Sequence, residues 1–232
     1  MLISGLQKMT LLDYPGLVAC TVFTGGCNFK CPFCHNAKLV LPNRMVREDR
    51  SDEVLCFLEK RRGLLDGVAI TGGEPLLHAD IAELLRRIRA MGYRIKLDTN
   101  GSFPDRLRML VEEGLVDRVA MDIKNAPLLY GRTVGVPQFQ IEAVERSKNY
   151  LLEGHVEYEF RTTVVYGLHT EESLCAAARW IEGAQEYYLQ QYKDSGDLIS
   201  PYGLEPFTDE EMHAFLEKVR EIIPAAQLRG LE

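Results

Sequence analysis

The sequence predicts an α/β fold: a partial (β/α)6 barrel with a parallel sheet, open laterally. Short β-branched apolar runs alternate with longer amphipathic segments six times. Hydrophobic residues make up 46% of the 232 residues, enough for a sizeable core. Eight complete units typically need about 250 residues. Here residues 1–16 and the long 25–50 segment lie outside the repeat, so six units fit better than eight.

The elements follow in order. LVACTVFT (17–24) reads as the first strand. SDEVLCFLEKRRG (51–63) has acids in its first turn, Lys and Arg in its last, and a stop at Gly63, so it reads as a helix. GVAIT (67–71) is a strand, ADIAELLRRIRAMG (79–92) a helix and YRIKLDT (93–99) a strand. PDRLRMLVEEG (104–114) is a helix with proline at its start and glycine at its end. VDRVAMDI (116–123), PQFQIEAVERSKNYLLEG (137–154) and VEYEFRTTVV (156–165) continue as strand, helix and strand. TEESLCAAARWIEG (170–183) is a Thr-capped helix and EYYLQQY (186–192) the sixth strand. A last helix over 208–222 and a short extra strand over 225–230 complete a single domain, 1–232, whose core spans about 17–193.

The net charge of −7 argues against nucleic-acid binding through bulk charge. The start, MLISGLQKMTLLDYPG, lacks the basic and apolar regions of a signal peptide, and no run approaches a membrane span. The expectation is a cytoplasmic protein, where structural disulfides are rare. Cys20, Cys56 and Cys175 sit in hydrophobic patterns and read as structural thiols.

In a parallel barrel the chemistry sits at the C-terminal strand ends. Those ends carry the cysteine loop, TGGEP (71–75), LDTNG (97–101), MDIKN (121–125), Arg161, and QQYK (190–193). The cysteine loop, TGGCNFKCPFCHN, places Cys27, Cys31 and Cys34 in a C-x3-C-x2-C spacing. Zinc would need His35 as a fourth ligand, and adjacent Cys34 and His35 reach one tetrahedral ion with difficulty. A two-cysteine redox motif leaves Cys27 unexplained. Three thiolates suit a [4Fe–4S] cluster with one iron lacking a protein ligand, and an open metal position is what catalysis needs.

This cysteine loop after the first strand, followed by a Gly-Gly-Glu tip after the second, resembles the radical S-adenosylmethionine superfamily. The resemblance spans residues 18–193. It implies that the open iron chelates the amino and carboxylate groups of S-adenosyl-L-methionine (SAM). It further implies that the reduced cluster splits the C5′–S bond and that a 5′-deoxyadenosyl radical takes hydrogen from the substrate. Under that resemblance Cys27, Cys31 and Cys34 hold the cluster. Gly72, Gly73 and Glu74 receive the ammonium, and Lys124 and Arg161 face the carboxylate or serve as structural ion-pair partners. Asp98 and Asn100 bond the ribose, and Phe33 packs near adenine, with His35 and Asn36 shaping its pocket.

LDYPG (12–16) and CHN (34–36) narrow the resemblance to glycyl-radical-enzyme activating proteins, nearest to the small anaerobic ribonucleoside-triphosphate reductase type. Formate-lyase activases tend to carry Asp-Gly-Pro-Gly where this chain has Asp13-Tyr14-Pro15-Gly16. They often have a histidine where it has Gln190 and Gln191. The implied partners are a glycyl radical enzyme, as protein substrate, and flavodoxin or ferredoxin, as electron donor. The alternatives are a radical enzyme acting on a small molecule, such as a deazapurine synthase, an activase of another glycyl radical enzyme, and a non-catalytic zinc module.

Overall fold

The computed structural model describes all residues except 45–47, 137, 195, 201 and 232. Its strands are β1 (Ile3–Thr10), β2 (Ala19–Thr24), β3 (Gly67–Gly72), β4 (Arg94–Thr99), β5 (Arg118–Asp122), β6 (Glu157–Val164), β7 (Tyr187–Gln191) and β8 (Ala226–Arg229). They form one sheet in sequential order, with β1 and β8 at its two edges. From β2 to β8 every pairing is parallel, whereas β1 pairs antiparallel with β2.

The six expected strands are β2 to β7, and the short extra strand is β8. The sequence reading left β1 outside the sheet. Only its two ends, Ile3 and Thr10, are buried, and its pairing is broken by two register shifts. An edge strand of this kind carries little hydrophobic alternation to detect.

The helices are α1 (Ala37–Val40), α2 (Ser51–Glu59), α3 (Ile81–Ala90), α4 (Pro104–Glu112), α5 (Tyr130–Thr133), α6 (Glu142–Leu152), α7 (Glu171–Trp180) and α8 (Asp209–Arg220). The helix expected over 137–154 begins only at Glu142, and Pro137 lies outside the described residues. Thr170 and Thr208 each cap a helix with a reciprocal capping box, which satisfies backbone donors that a helix start leaves free. Among the described residues no helix is long and apolar enough to cross a membrane.

Side chains alternate across each strand. Val68, Ile70, Ile95, Leu97, Val119 and Met121 are wholly buried within the apolar core. The intervening Lys96, Asp98, Asp122, Glu159 and Arg161 turn to the opposite face, where they pair with one another. The barrel lumen is therefore charged, and the site is built at its upper rim.

Candidate active site

At the C-terminal end of β2 the chain enters the cysteine loop. Gly26 N–H donates to Leu39 O at 2.7 Å, which closes the loop's base. Lys30 N–H donates to Val134 O at 2.9 Å, and Ser200 N–H to Pro32 O at 3.0 Å. Phe29 packs edge-on against Phe139 with centroids 5.2 Å apart. The loop is thus clamped by segments following β5 and β7, far away in sequence.

The end of β3 lies directly against this loop. Gly73 N–H donates to Thr24 O at 2.9 Å, and Glu74 N–H to Gly26 O at 2.8 Å. A Cβ on Gly73 would meet Gly26 O at 1.9 Å, and one on Gly72, whose φ is +120°, would meet Thr24 backbone at 2.4 Å. Only glycine allows two backbones this close.

A cavity of about 400 Å³ opens here, a size ordinary for a small-molecule site. Cys27, Cys31, Cys34, Phe33, His35 and Asn36 line it from the cysteine loop. Gly72, Gly73, Asp98, Asn100, Lys124 and Arg161 line it from the strand ends. Every sequence-predicted site residue is therefore brought to this cavity except the side chain of Glu74. That carboxylate is wholly buried beneath it. It accepts from Leu76 N–H at 2.9 Å, Thr99 Oγ1 at 2.8 Å and Asn100 N–H at 2.7 Å. Burial raises its pKa to about 7 against the pull of these bonds.

The cations at the rim are already paired. Asp98 accepts from Lys96 Nζ at 2.7 Å and from Arg161 Nη1 at 3.1 Å. Asp122 accepts from Lys124 Nζ at 2.9 Å and Arg161 Nε at 3.1 Å. Burial alone would raise the Asp122 pKa, but Lys124 and Arg161 hold it at about 2. Lys124 also lies 5.9 Å from the centre of the Phe33 ring. Arg161 and Lys124 thus combine exposure to the cavity with the ion pairs that fix them.

Burial pushes the Cys27 thiol up to about 12 and Cys31 up to about 11, and raises Cys34. All six cysteines are free of disulfides. Three neutral thiols on one cavity wall become thiolates only against a strong local positive charge, which bound metal supplies. Among the described residues no group of three His, Cys, Asp or Glu side chains is placed to hold a single metal ion. In a cubane each cysteine binds its own iron, so convergence on one point is not required. The donor set fits an iron–sulfur cluster.

Residues 21–181 match the family model described as the radical SAM superfamily. The chain belongs to that superfamily. It is a radical SAM enzyme, and its cofactors are a [4Fe–4S] cluster and SAM. It is 32% identical over 209 residues to a protein of Methanocaldococcus jannaschii named a glycyl-radical enzyme activating enzyme, covering 84% of this chain and 82% of that one. It is also 34% identical over 119 residues to a 7-carboxy-7-deazaguanine synthase of Methanopyrus kandleri, covering 43% of this chain and 46% of that one. A solved domain of a pyruvate-formate lyase-activating enzyme from Bacteroides vulgatus superposes with a TM-score of 0.58 at 18% identity, over 71% of this chain and 99% of that one, and so shares the fold.

The cavity has lining residues that the sequence reading did not assign to the site. Asp13, from the segment before β2, reaches it and accepts a hydrogen bond from Thr21 Oγ1. Phe23, Thr163 and Gln190 also line it, whereas Gln191 turns away to donate to Phe207 O and Asp209 Oδ1. Buried His169 bonds Lys124 O through Nε2 at 2.9 Å and fixes the backbone beneath the Lys124 side chain. For Asp13 the signal was present in Leu-Asp-Tyr-Pro-Gly. For His169 no local pattern marked it.

Proposed function

We propose that this radical SAM enzyme generates a glycyl radical on a partner enzyme, and that the partner is an anaerobic ribonucleoside-triphosphate reductase. The observation that carries the reading is the placement of Asp13. The Leu-Asp-Tyr-Pro-Gly segment lies outside the strand–helix repeat, yet its carboxylate lines the same cavity as Cys27, Cys31 and Cys34. The near full-length similarity to a protein named as an activating enzyme supports it.

In this reading Cys27, Cys31 and Cys34 hold the cluster, leaving one iron for SAM. Bound together, the cluster and SAM supply one electron and an adenosyl fragment able to take a hydrogen atom. The residues of the chain bind and orient. Lys124 and Arg161 present cationic N–H groups to the SAM carboxylate. The Gly72–Gly73 backbone admits the ammonium closely, while buried Glu74 holds the Thr99–Asn100 turn in place. Asp98 serves the ribose, and Phe33, 4% exposed, walls the adenine side and keeps water out. Asp13 offers an acceptor to the N–H groups of an inserted main chain. The open edge between β1 and β8 leaves a lateral route for a glycine-bearing loop. Flavodoxin or ferredoxin supplies the electron, in the cytoplasm.

The test is anaerobic incubation of the reconstituted, reduced enzyme with SAM and the reductase. A glycyl doublet in electron spin resonance is the expected result. Release of 5′-deoxyadenosine with no doublet, on this reductase and on a panel of other glycyl radical enzymes, would contradict it. That outcome would favour the second reading, a small-molecule radical enzyme, which the partial similarity to a deazaguanine synthase supports.

A further inference from the structure

Asn100 stands where the sequence suggested a ribose ligand, but its side chain is committed elsewhere. Its Oδ1 accepts from Ser102 N–H at 2.9 Å and from Ser102 Oγ. That fixes the amide orientation and sends Nδ2 toward the cysteine loop. There it donates to Asn28 Oδ1 at 3.0 Å and to Cys27 Sγ at 3.8 Å. Asn28 closes the ring by donating through Nδ2 to Ser102 Oγ at 2.9 Å. The backbone of Asn100 is anchored separately, through its N–H to buried Glu74. Asn100 is itself only 6% exposed.

Cys27 Sγ thus receives two N–H groups, one from Phe29 backbone at 3.3 Å and one from the Asn100 amide. From this geometry we infer that Asn100 is a positioning residue for the cluster, holding an amide N–H on the Cys27 sulfur and thereby raising the cluster's reduction potential. The inference rests on the reading of Cys27 as a cluster ligand. Its physical basis is charge. The one-electron reduction of [4Fe–4S] from the 2+ to the 1+ state adds negative charge that spreads onto the sulfurs. A hydrogen bond to sulfur therefore stabilises the reduced form more than the oxidised one. The Asn100–Ser102–Asn28 ring keeps that donor from rotating to solvent, and Glu74 keeps the whole turn at the loop.

The experiment is a redox titration of the reconstituted full chain without SAM. Dithionite supplies the electron, and electron spin resonance reads the reduced cluster. Asn100→Leu removes the donor at a similar side-chain size and adds no charge beside the cluster. At the wild-type midpoint its reduced-to-oxidised ratio is expected to fall about tenfold, a shift of about 59 mV to lower potential for one electron. Ser102→Ala, which removes the hydroxyl from the ring but keeps the backbone N–H on Oδ1, loosens the amide and should shift the midpoint in the same direction by less, and serves if Asn100→Leu does not fold. Iron and sulfide content should match the wild type in both. An unchanged midpoint in these variants overturns the inference. So does a loss of SAM affinity with the midpoint unchanged, which would make Asn100 a ribose ligand. If the reconstituted wild type carries no [4Fe–4S] signal, the failure lies in the cluster reading itself.

Discussion

The two faces of the sheet are made from the same strands but obey different rules. Along β4, Ile95 and Leu97 face the helices, while Lys96 and Asp98 face the lumen. The helix-side face is stabilised by area removed from water, a non-directional effect that tolerates apolar exchange. The lumen face depends on each charge finding a specific partner. Glu159, with no exposed surface, accepts from Arg118 at 3.0 Å and from Arg229 at 3.0 and 3.3 Å, and lies 4.0 Å from Lys96 Nζ. A lumen filled with Leu and Val would be easier to build, as the usual barrel shows. The charged filling leads, pair by pair, to Asp98, Arg161, Asp122 and Lys124 at the cavity. It provides a rigid cationic rim at a fixed position, and it makes the lumen more vulnerable to single changes than the apolar face.

That contrast can be broken most sharply at Glu159. Replacing it by Leu removes the buried carboxylate that Arg118, Arg229 and Lys96 share, leaving Arg118 with Glu186 and Lys96 with Asp98. Loss of one partner from a buried pair costs about 3–5 kcal/mol, to be read from urea unfolding. SAM affinity should fall as well, because the rim rests on this layer. On the opposite face Leu97→Ala should cost about 2–5 kcal/mol through transfer and cavity terms. Iron content and SAM affinity should be retained in that variant.

A smaller effect lies in pH. Burial would raise the Glu159 pKa, but Arg229, Lys96 and Arg161 hold it at about 2 in the folded protein, below the ordinary 4.5. A depressed carboxyl stabilises the fold above the unfolded pKa. That stability is lost as pH falls from about 4.5 through 2, because the unfolded chain then binds the proton first. The acid limb of the stability profile should be shallower in Glu159→Gln than in the wild type. At the surface, breaking the exposed Arg108–Glu112 pair on α4 should leave the unfolding midpoint unchanged.

Much of this was legible in the residues. β2 to β7 announced themselves because each is a short apolar run set apart from its neighbours by an amphipathic helical segment, and local patterning suffices for that. The strand-end rule then gathered Cys27, Gly72, Asp98, Lys124 and Arg161 before any coordinate. β1 escaped because it borrows its stability from pairing with β2 rather than from its own alternation. The clamp on the cysteine loop escaped for a similar reason. Val134, Phe139 and Ser200 reach it from over a hundred residues away, through backbone bonds and a ring contact that no local pattern encodes. Glu74 and Asn100 were found as polar residues at the right rim. Their partners were not, since which way a side chain turns depends on Thr99, Ser102 and Asn28 meeting it in space.

The central claim is that Cys27, Cys31 and Cys34 hold a four-iron cluster beside the SAM cavity. The most direct measurement is iron and sulfide analysis with electron spin resonance on the anaerobically reconstituted wild type and the three single Cys→Ala variants, each then reduced with SAM. The account expects about four irons in the wild type, release of 5′-deoxyadenosine, and loss of both in every variant. Full iron content in any one variant, or a loaded wild type that leaves SAM uncleaved, would contradict it.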